Sequence, residues 1–132
     1  DGTARIEGLT FADVEQAKAA RHVIATCEEL MDAGELRAHP HLNQLPGIIV
    51  DALVHVPHGA YPTACYRYYD YDPAFLNDYR TAATDDERYD RYLREWILEP
   101  ADHREQHARI PEGRLAAIQA DPHTGYAKGL QR

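Results

Sequence analysis

The run Ile48–Asp72, IIVDALVHVPHGAYPTACYRYYDYD, decides how the rest of the chain is read. It opens on apolar, largely β-branched residues: Ile48, Ile49 and Val50, then Ala52, Leu53, Val54 and Val56. That length and composition predict a buried strand rather than a helix. Pro57 has no N–H to give to a sheet ladder, and Gly59 reaches backbone angles closed to other residues. Pro57-His58-Gly59 is therefore expected to end the strand in a sharp turn. Beyond it come Ala60-Tyr61-Pro62-Thr63 and then Tyr66, Tyr68, Tyr69 and Tyr71, interleaved with Asp70 and Asp72. Five of the nine tyrosines fall between positions 61 and 71, so the loop is unusually rich in large amphipathic side chains. A loop of this kind after a strand is where an α/β protein places a binding surface. The plainer alternative is that the tyrosines cover a core edge or an interface between subunits.

On the N-terminal side, Ala4-Arg5-Ile6-Glu7-Gly8 reads as a short strand closed by glycine. Thr10-Phe11-Ala12-Asp13 has the form of a capping box, and the helix it opens is expected to reach about Ala20, with Phe11, Val14 and Ala17 on one stripe. His22–Cys27 reads as a second strand ending on the acidic pair Glu28-Glu29. Strand, helix and strand at this spacing predict the right-handed crossover of a parallel sheet. A helical turn through Leu30-Met31 is expected to stop at Gly34. The stretch from Glu35 to Gly47, which holds Pro40 and Pro46, reads as extended loop.

The C-terminal side reads as helical. Asp72-Pro73 is a cap followed by proline in the first helical position, with Phe75, Leu76, Tyr79 and Ala83 on one face. Thr84 with Glu87 repeats the capping-box form. Tyr89, Tyr92, Leu93, Trp96 and Ile97 then follow a helical repeat that Pro100 ends. Shorter helices are expected over 102–108 and 114–120. The expectation is one partial α/β domain: an open sheet with flanking helices and the site loop over 1–72, a helical segment over 73–121, and a polar tail over 122–132.

Composition narrows the function. Against 14 basic residues stand 22 acidic ones, a net charge of −8, which argues against a nucleic-acid partner. Asp51 interrupts the longest apolar run, well short of the roughly 20 residues that cross a bilayer, so no membrane segment is expected. Cys27 and Cys65 are too few for a disulfide framework and read as free thiols of a cytoplasmic protein. Met31 is the only methionine and the chain opens on Asp1-Gly2-Thr3. This reads as a fragment or processed piece, with any missing chemistry upstream or on another chain.

Eight histidines raise a metal hypothesis, and His103 and His107 lie one helical turn apart. HREQH lacks the glutamate directly after the first histidine that metalloprotease chemistry uses, and no third ligand is placed, so no metal is expected. Nothing near Cys65 would lower its pKa. No glycine loop of the phosphate-cradling type occurs, so no nucleotide cofactor is expected. Glu28-Glu29 is the more interesting pair: carboxylates at the C-terminal end of a parallel strand sit where open sheets place their crevice. The alternative is an acid pair that stabilises the next helical turn.

Several ordered blocks together carry a family resemblance. Ile6-Glu7-Gly8-Leu9-Thr10-Phe11-Ala12-Asp13, Val23–Glu29, Val50–Val54, Gly59–Thr63 and Tyr69-Asp70-Tyr71-Asp72 resemble the alpha subunit of glutaconate CoA-transferase-like proteins of the family I CoA-transferases, over roughly residues 4 to 100. The resemblance implies the C-terminal half of one subunit in a heteromeric enzyme with two related α/β subunits. In that family a glutamate attacks an acyl-CoA thioester, and CoA passes through a glutamyl thioester to a second acid. The glutamate belongs to the beta subunit, so no catalytic residue is carried over here. The implied partners are a beta-type subunit together with acyl-CoA and carboxylic acid substrates, with no cofactor beyond the CoA thioester as substrate. The expected lining is Gly59, Ala60, Tyr61, Pro62 and Thr63, with Glu28, Glu29 and Tyr66 behind them. Gly59 would admit close backbone approach, and Thr63 and the tyrosine hydroxyls would hydrogen-bond a carboxylate or thioester oxygen. A related branch, hydrolases that open rings of CoA-linked steroid fragments, is also similar but writes this loop differently. A non-catalytic assembly module, with the tyrosine loop purely an interface, is the alternative from another class.

Overall fold

A computed structural model describes residues 1–130. The described residues divide into two compact units, 1–59 and 60–130, with the boundary inside the expected site loop.

The first unit carries the α/β character. Strand β1 (Ile24–Cys27) and strand β2 (Ala52–His55) pair in parallel, Ile24 opposite Ala52 and Cys27 opposite His55. Asp51 sets this register from outside the strands: its carboxylate accepts the Val23 N–H at 2.7 Å, while its own N–H donates to the Val23 carbonyl at 2.9 Å. The connection between the strands holds helix α2 (Ala33–Ala38), and helix α1 (Asp13–Ala19) precedes β1. Leu45 is the buried apolar residue of this unit. Around it the Gln44 side chain accepts the Ile6 N–H at 2.8 Å and the Asn43 amide donates to the Leu36 carbonyl at 2.9 Å, so the crossover is held by side chains as well as ladder.

Several expectations for this unit are corrected. Ala4 makes only an isolated antiparallel bridge to Leu45, so the parallel crossover joins β1 to β2 rather than an N-terminal strand to β1. Thr10 does not cap α1; the Asp13 carboxylate turns back to the Phe11 N–H, the helix starts later, and Phe11 stays exposed. Gly34 sits in the first turn of α2 instead of ending a helix, because the Asp32 carboxylate accepts its N–H and caps the helix there. Ile48 lies in a 3-10 turn over Gly47–Ile49, and the strand begins only at Ala52. That strand is exposed along its whole length, with Ile24 beside it 71% exposed. Burial of a parallel strand comes from layers on both faces, which a two-stranded pair does not supply.

The second unit is helical. Helix α3 (Pro73–Ala82) starts as expected: the Asp72 carboxylate accepts the Phe75 N–H at 3.0 Å, and Pro73 occupies a position whose N–H would have had no helical partner. Helix α4 (Asp86–Leu93) is capped by Asp85, whose carboxylate accepts the Arg88 N–H, and not by Thr84, whose hydroxyl donates to the Thr81 carbonyl. The two helices meet through rings. Phe75 lies 4.7 Å from Trp96 and 6.0 Å from Tyr92, and Tyr79 lies 5.5 Å from Tyr92, all edge-on or tilted. A π-helical turn over Arg94–Leu98 extends α4. Its wider turn rotates the stripe, which is why Ile97, expected on the apolar face, is exposed while Trp96 is not.

Helices α5 (His103–Ala108) and α6 (Arg114–Ile118) follow. The segment read as a polar tail folds back: Ala120 bridges Ala127, the Arg67 N–H donates to the Gly125 carbonyl, and the Asp70 carboxylate accepts the Ala127 N–H. Gln131 and Arg132 lie outside the described residues.

Candidate functional site

Gly59 closes the first unit and Ala60 opens the second, so the expected lining residues divide between them.

In the first unit, Cys27 ends β1 and Glu28 follows it, while β2 leaves through Val56 into Pro57-His58-Gly59. The Val56 N–H donates to the Cys27 carbonyl at 2.9 Å, which keeps the two strand exits side by side. Across them the Glu28 carboxylate accepts the His58 N–H at 2.6 Å on one oxygen and the Gly59 N–H at 3.2 Å on the other. The Glu28 carbonyl lies 3.1 Å from His55 Nε2; a carbonyl only accepts, so that nitrogen carries the proton. The positive φ expected at Gly59 belongs to His58 instead, at 58°. Gly59 is needed for another reason: a Cβ there would stand 2.8 Å from the Val56 carbonyl oxygen, and backbone would have to move. Glu28 is thus a clamp on the strand-exit turn, and Glu29 is exposed. Burial first, and the Glu28 charge second, push the Cys27 thiol up, which keeps it from acting as a thiolate nucleophile.

In the second unit, the loop that follows is built around two buried side chains. Tyr69, 2% exposed, uses its hydroxyl oxygen to accept the Ala60 N–H at 2.9 Å. Its own main chain closes a turn with Cys65, N–H to carbonyl in both directions at 2.9 Å. Asp72, 3% exposed, does more than cap α3. It accepts the Tyr61 hydroxyl at 2.8 Å, lies 3.7 Å from the Arg114 guanidinium, and donates its N–H to the Pro62 carbonyl at 2.9 Å. Burial, reinforced by the bond to Asp72, raises the Tyr61 hydroxyl far above its usual range, so it stays protonated and donates. The Tyr61–Pro62 peptide is cis, and the Tyr61 ring packs edge-on against Phe75 at 5.2 Å.

Ala60 and Thr63 are exposed and Pro62 half-buried. The Thr63 hydroxyl donates to the Ala60 carbonyl, so it presents acceptor lone pairs outward rather than the donor expected of it. Tyr66 is exposed and meets Tyr126 edge-on at 5.4 Å; its ring also covers Gly125, where a Cβ would stand 2.4 Å from it. Arg114, Tyr126 and the buried role of Asp72 were not read from the sequence. The one available signal was an aspartate set among aromatic residues, since a carboxylate that follows tyrosines into a core needs partners.

The His103 and His107 rings lie 4.3 Å apart. Among the described residues no group of three or more His, Cys, Asp or Glu converges as metal ligands would. No helix among them is long and apolar enough to cross a membrane.

No family model matches the chain. Individual relatives do. The chain is 41% identical over 126 residues, 96% of its length, to the A subunit of glutaconate CoA-transferase from Acidaminococcus fermentans. It is 32% identical over 113 residues, 86% of its length, to the A subunit of 3-oxoadipate CoA-transferase from Pseudomonas knackmussii. It spans 39% of the length of each. Its fold matches a crystal structure of glutaconate coenzyme A-transferase from Acidaminococcus fermentans with a TM-score of 0.89 at 40% identity, over 95% of this chain and 39% of that one. Over the span that it shares with these proteins, the chain is similar in sequence and in fold to the A subunits of CoA-transferases.

Proposed function

We propose that the chain is part of the A-type subunit of a heteromeric CoA-transferase and walls an acyl-CoA site that a B-type partner completes. The observation that carries this is the 41% identity to a transferase A subunit, sustained over 96% of the chain. The proposed lining is the exposed and half-buried series Ala60, Tyr61, Pro62, Thr63 and Tyr66 of the second unit, while in the first unit Glu28 holds the strand-exit turn that ends at Gly59. The Tyr69 hydroxyl on the Ala60 N–H and the Asp72 carboxylate on the Tyr61 hydroxyl support a loop of fixed shape, which suits a site that must hold a thioester in line with an attacking group.

The nucleophile is proposed to be a glutamate of the partner. Its carboxylate oxygen bonds to the thioester carbonyl carbon and CoA leaves as thiolate. The thiolate then attacks the glutamyl carbonyl of the mixed anhydride, and the first acid leaves as carboxylate. The second acid repeats the two steps in reverse and departs as its own CoA thioester. Each difficult acyl transfer is divided into two easier ones. No further cofactor enters the proposal, and a cytoplasmic setting fits it.

The test is CoA transfer between an acyl-CoA and free carboxylic acids by the complete subunit, with and without its B-type partner. Transfer by the assembled pair alone is expected. Hydrolytic ring opening of a cyclic CoA-linked substrate, with the thioester kept and no transfer, would replace the reading by the hydrolase one, and absence of both reactions would leave an assembly module.

A further inference from the structure

Glu28 stands at the C-terminal end of β1, and the Pro57–Gly59 turn stands at the C-terminal end of β2, its parallel neighbour. Open α/β sheets place ligands outside those ends. The turn there holds a non-glycine residue, His58, in the left-handed region, so something must fix it. The Glu28 carboxylate does so from 30 residues away in sequence, one oxygen on each of two consecutive N–H groups. Successive amides pointing at one anion form a concavity whose geometry the anion itself maintains. Gly59 N–H is shared with the Val56 carbonyl at 2.9 Å, and the missing Cβ is what lets that carbonyl come so close. The His55 ring adds a third tie, to the Glu28 carbonyl.

We propose that Glu28 is a positioning residue for the CoA-transfer reaction: it does not touch substrate but fixes the strand-exit turn from which the site loop departs. This rests on the transferase reading above. With each oxygen on a main-chain donor, the carboxylate is held in place by the same turn that it fixes. Glutamine in its place offers one acceptor oxygen and one NH2 group, so one of the two amides would face a donor. The turn would lose its fixed form while shape and volume stay almost unchanged. The loss should fall on reaction geometry rather than on substrate affinity, because misplacement lowers the rate of the bound complex.

The experiment compares wild type and Glu28→Gln in the complete subunit, paired with its B-type partner. Expected are a fall in kcat of about tenfold or more, a KM for acyl-CoA within about twofold of wild type, and unchanged assembly. Amide exchange at His58 and Gly59 should quicken while that of the β1–β2 ladder holds. An active wild type with unchanged kcat in Glu28→Gln overturns the proposal alone, as does a loss carried wholly by KM. A wild-type pair that transfers no CoA overturns both this proposal and the reading on which it rests.

Discussion

Tyr61→Phe isolates the bond that ties the site loop to α3. The substitution removes one hydroxyl, keeps the ring that packs 5.2 Å from Phe75, and leaves Asp72 with its Phe75 N–H bond and the Arg114 guanidinium at 3.7 Å. A hydrogen bond to a charged group contributes about 1.5–3 kcal/mol. The lower end applies, since the Tyr61 ring is half-buried and Arg114 still serves the carboxylate, so the expected loss is about 1.5 kcal/mol. For a unit of this size that is a fall in Tm of roughly 6–12 °C. Asp72→Asn is the companion: asparagine caps a helix as well as aspartate does, so it removes the charge and keeps the cap. If Tyr61 and Asp72 act on each other, the double variant should lose less than the sum of the two, by about 1 kcal/mol. Trp96, the only tryptophan, reports the unfolding of the second unit from its place 4.7 Å from Phe75. A Tyr61→Phe protein within about 0.3 kcal/mol of wild type by Trp96 fluorescence, or a strictly additive pair, would show that the Tyr61–Asp72 bond does not hold the loop.

Gly125→Ala should destabilise the second unit by about 1–3 kcal/mol, because it combines a φ of 75° with a Cβ 2.4 Å from the Tyr66 ring. Gly113→Ala, at φ 82° with nothing within 4 Å, should show only the backbone strain of about 1 kcal/mol, and equal losses would discount the ring contact. Cys27 alkylation followed against pH, in a Cys65→Ser background, should shift to lower pH in Glu28→Gln, because removing a neighbouring negative charge favours the thiolate. An unmoved profile would deny the Glu28 contribution. The Asp121 carboxylate is held down at about 2, chiefly by Lys128 and then by the His123 N–H. Its contribution to holding the 121–128 turn is therefore present above the ordinary aspartate range and fades as pH falls toward 2; Lys128→Ala should raise the Asp121 pKa by NMR, and a fixed value would show the ion pair to be idle.

What the sequence disclosed follows from how local each signal is. Asp72-Pro73 placed the start of α3 because a cap and a first-turn proline act within four residues. The apolar run after Gly47 announced a strand but misplaced its start, because the register is set by Asp51 reaching Val23, 28 residues away. Ile97 was read onto a regular helical face, and a single π-helical turn moved it off. The site loop was recognisable by its tyrosines, yet composition does not say that Tyr69 serves the Ala60 amide or that Tyr61 serves Asp72. Glu28 stood out as an acid at a strand end, while the amides it holds belong to residues whose nearness depends on the parallel pairing itself. The fold-back of 121–127 was invisible for a similar reason: its partners are the Arg67 N–H and the Asp70 carboxylate of the tyrosine loop, which leave no mark on the tail's own composition.

The proposed division of labour between this chain and a B-type partner is tested most directly by finding where CoA becomes covalently attached. Incubating the assembled pair with acyl-CoA in the absence of an acceptor acid, quenching, and measuring the intact mass of each chain reads it at once. The predicted result is a CoA adduct on a glutamate of the B-type partner and none on this chain. An adduct on Glu28 or Glu29, or turnover with no adduct on either chain, would contradict that division.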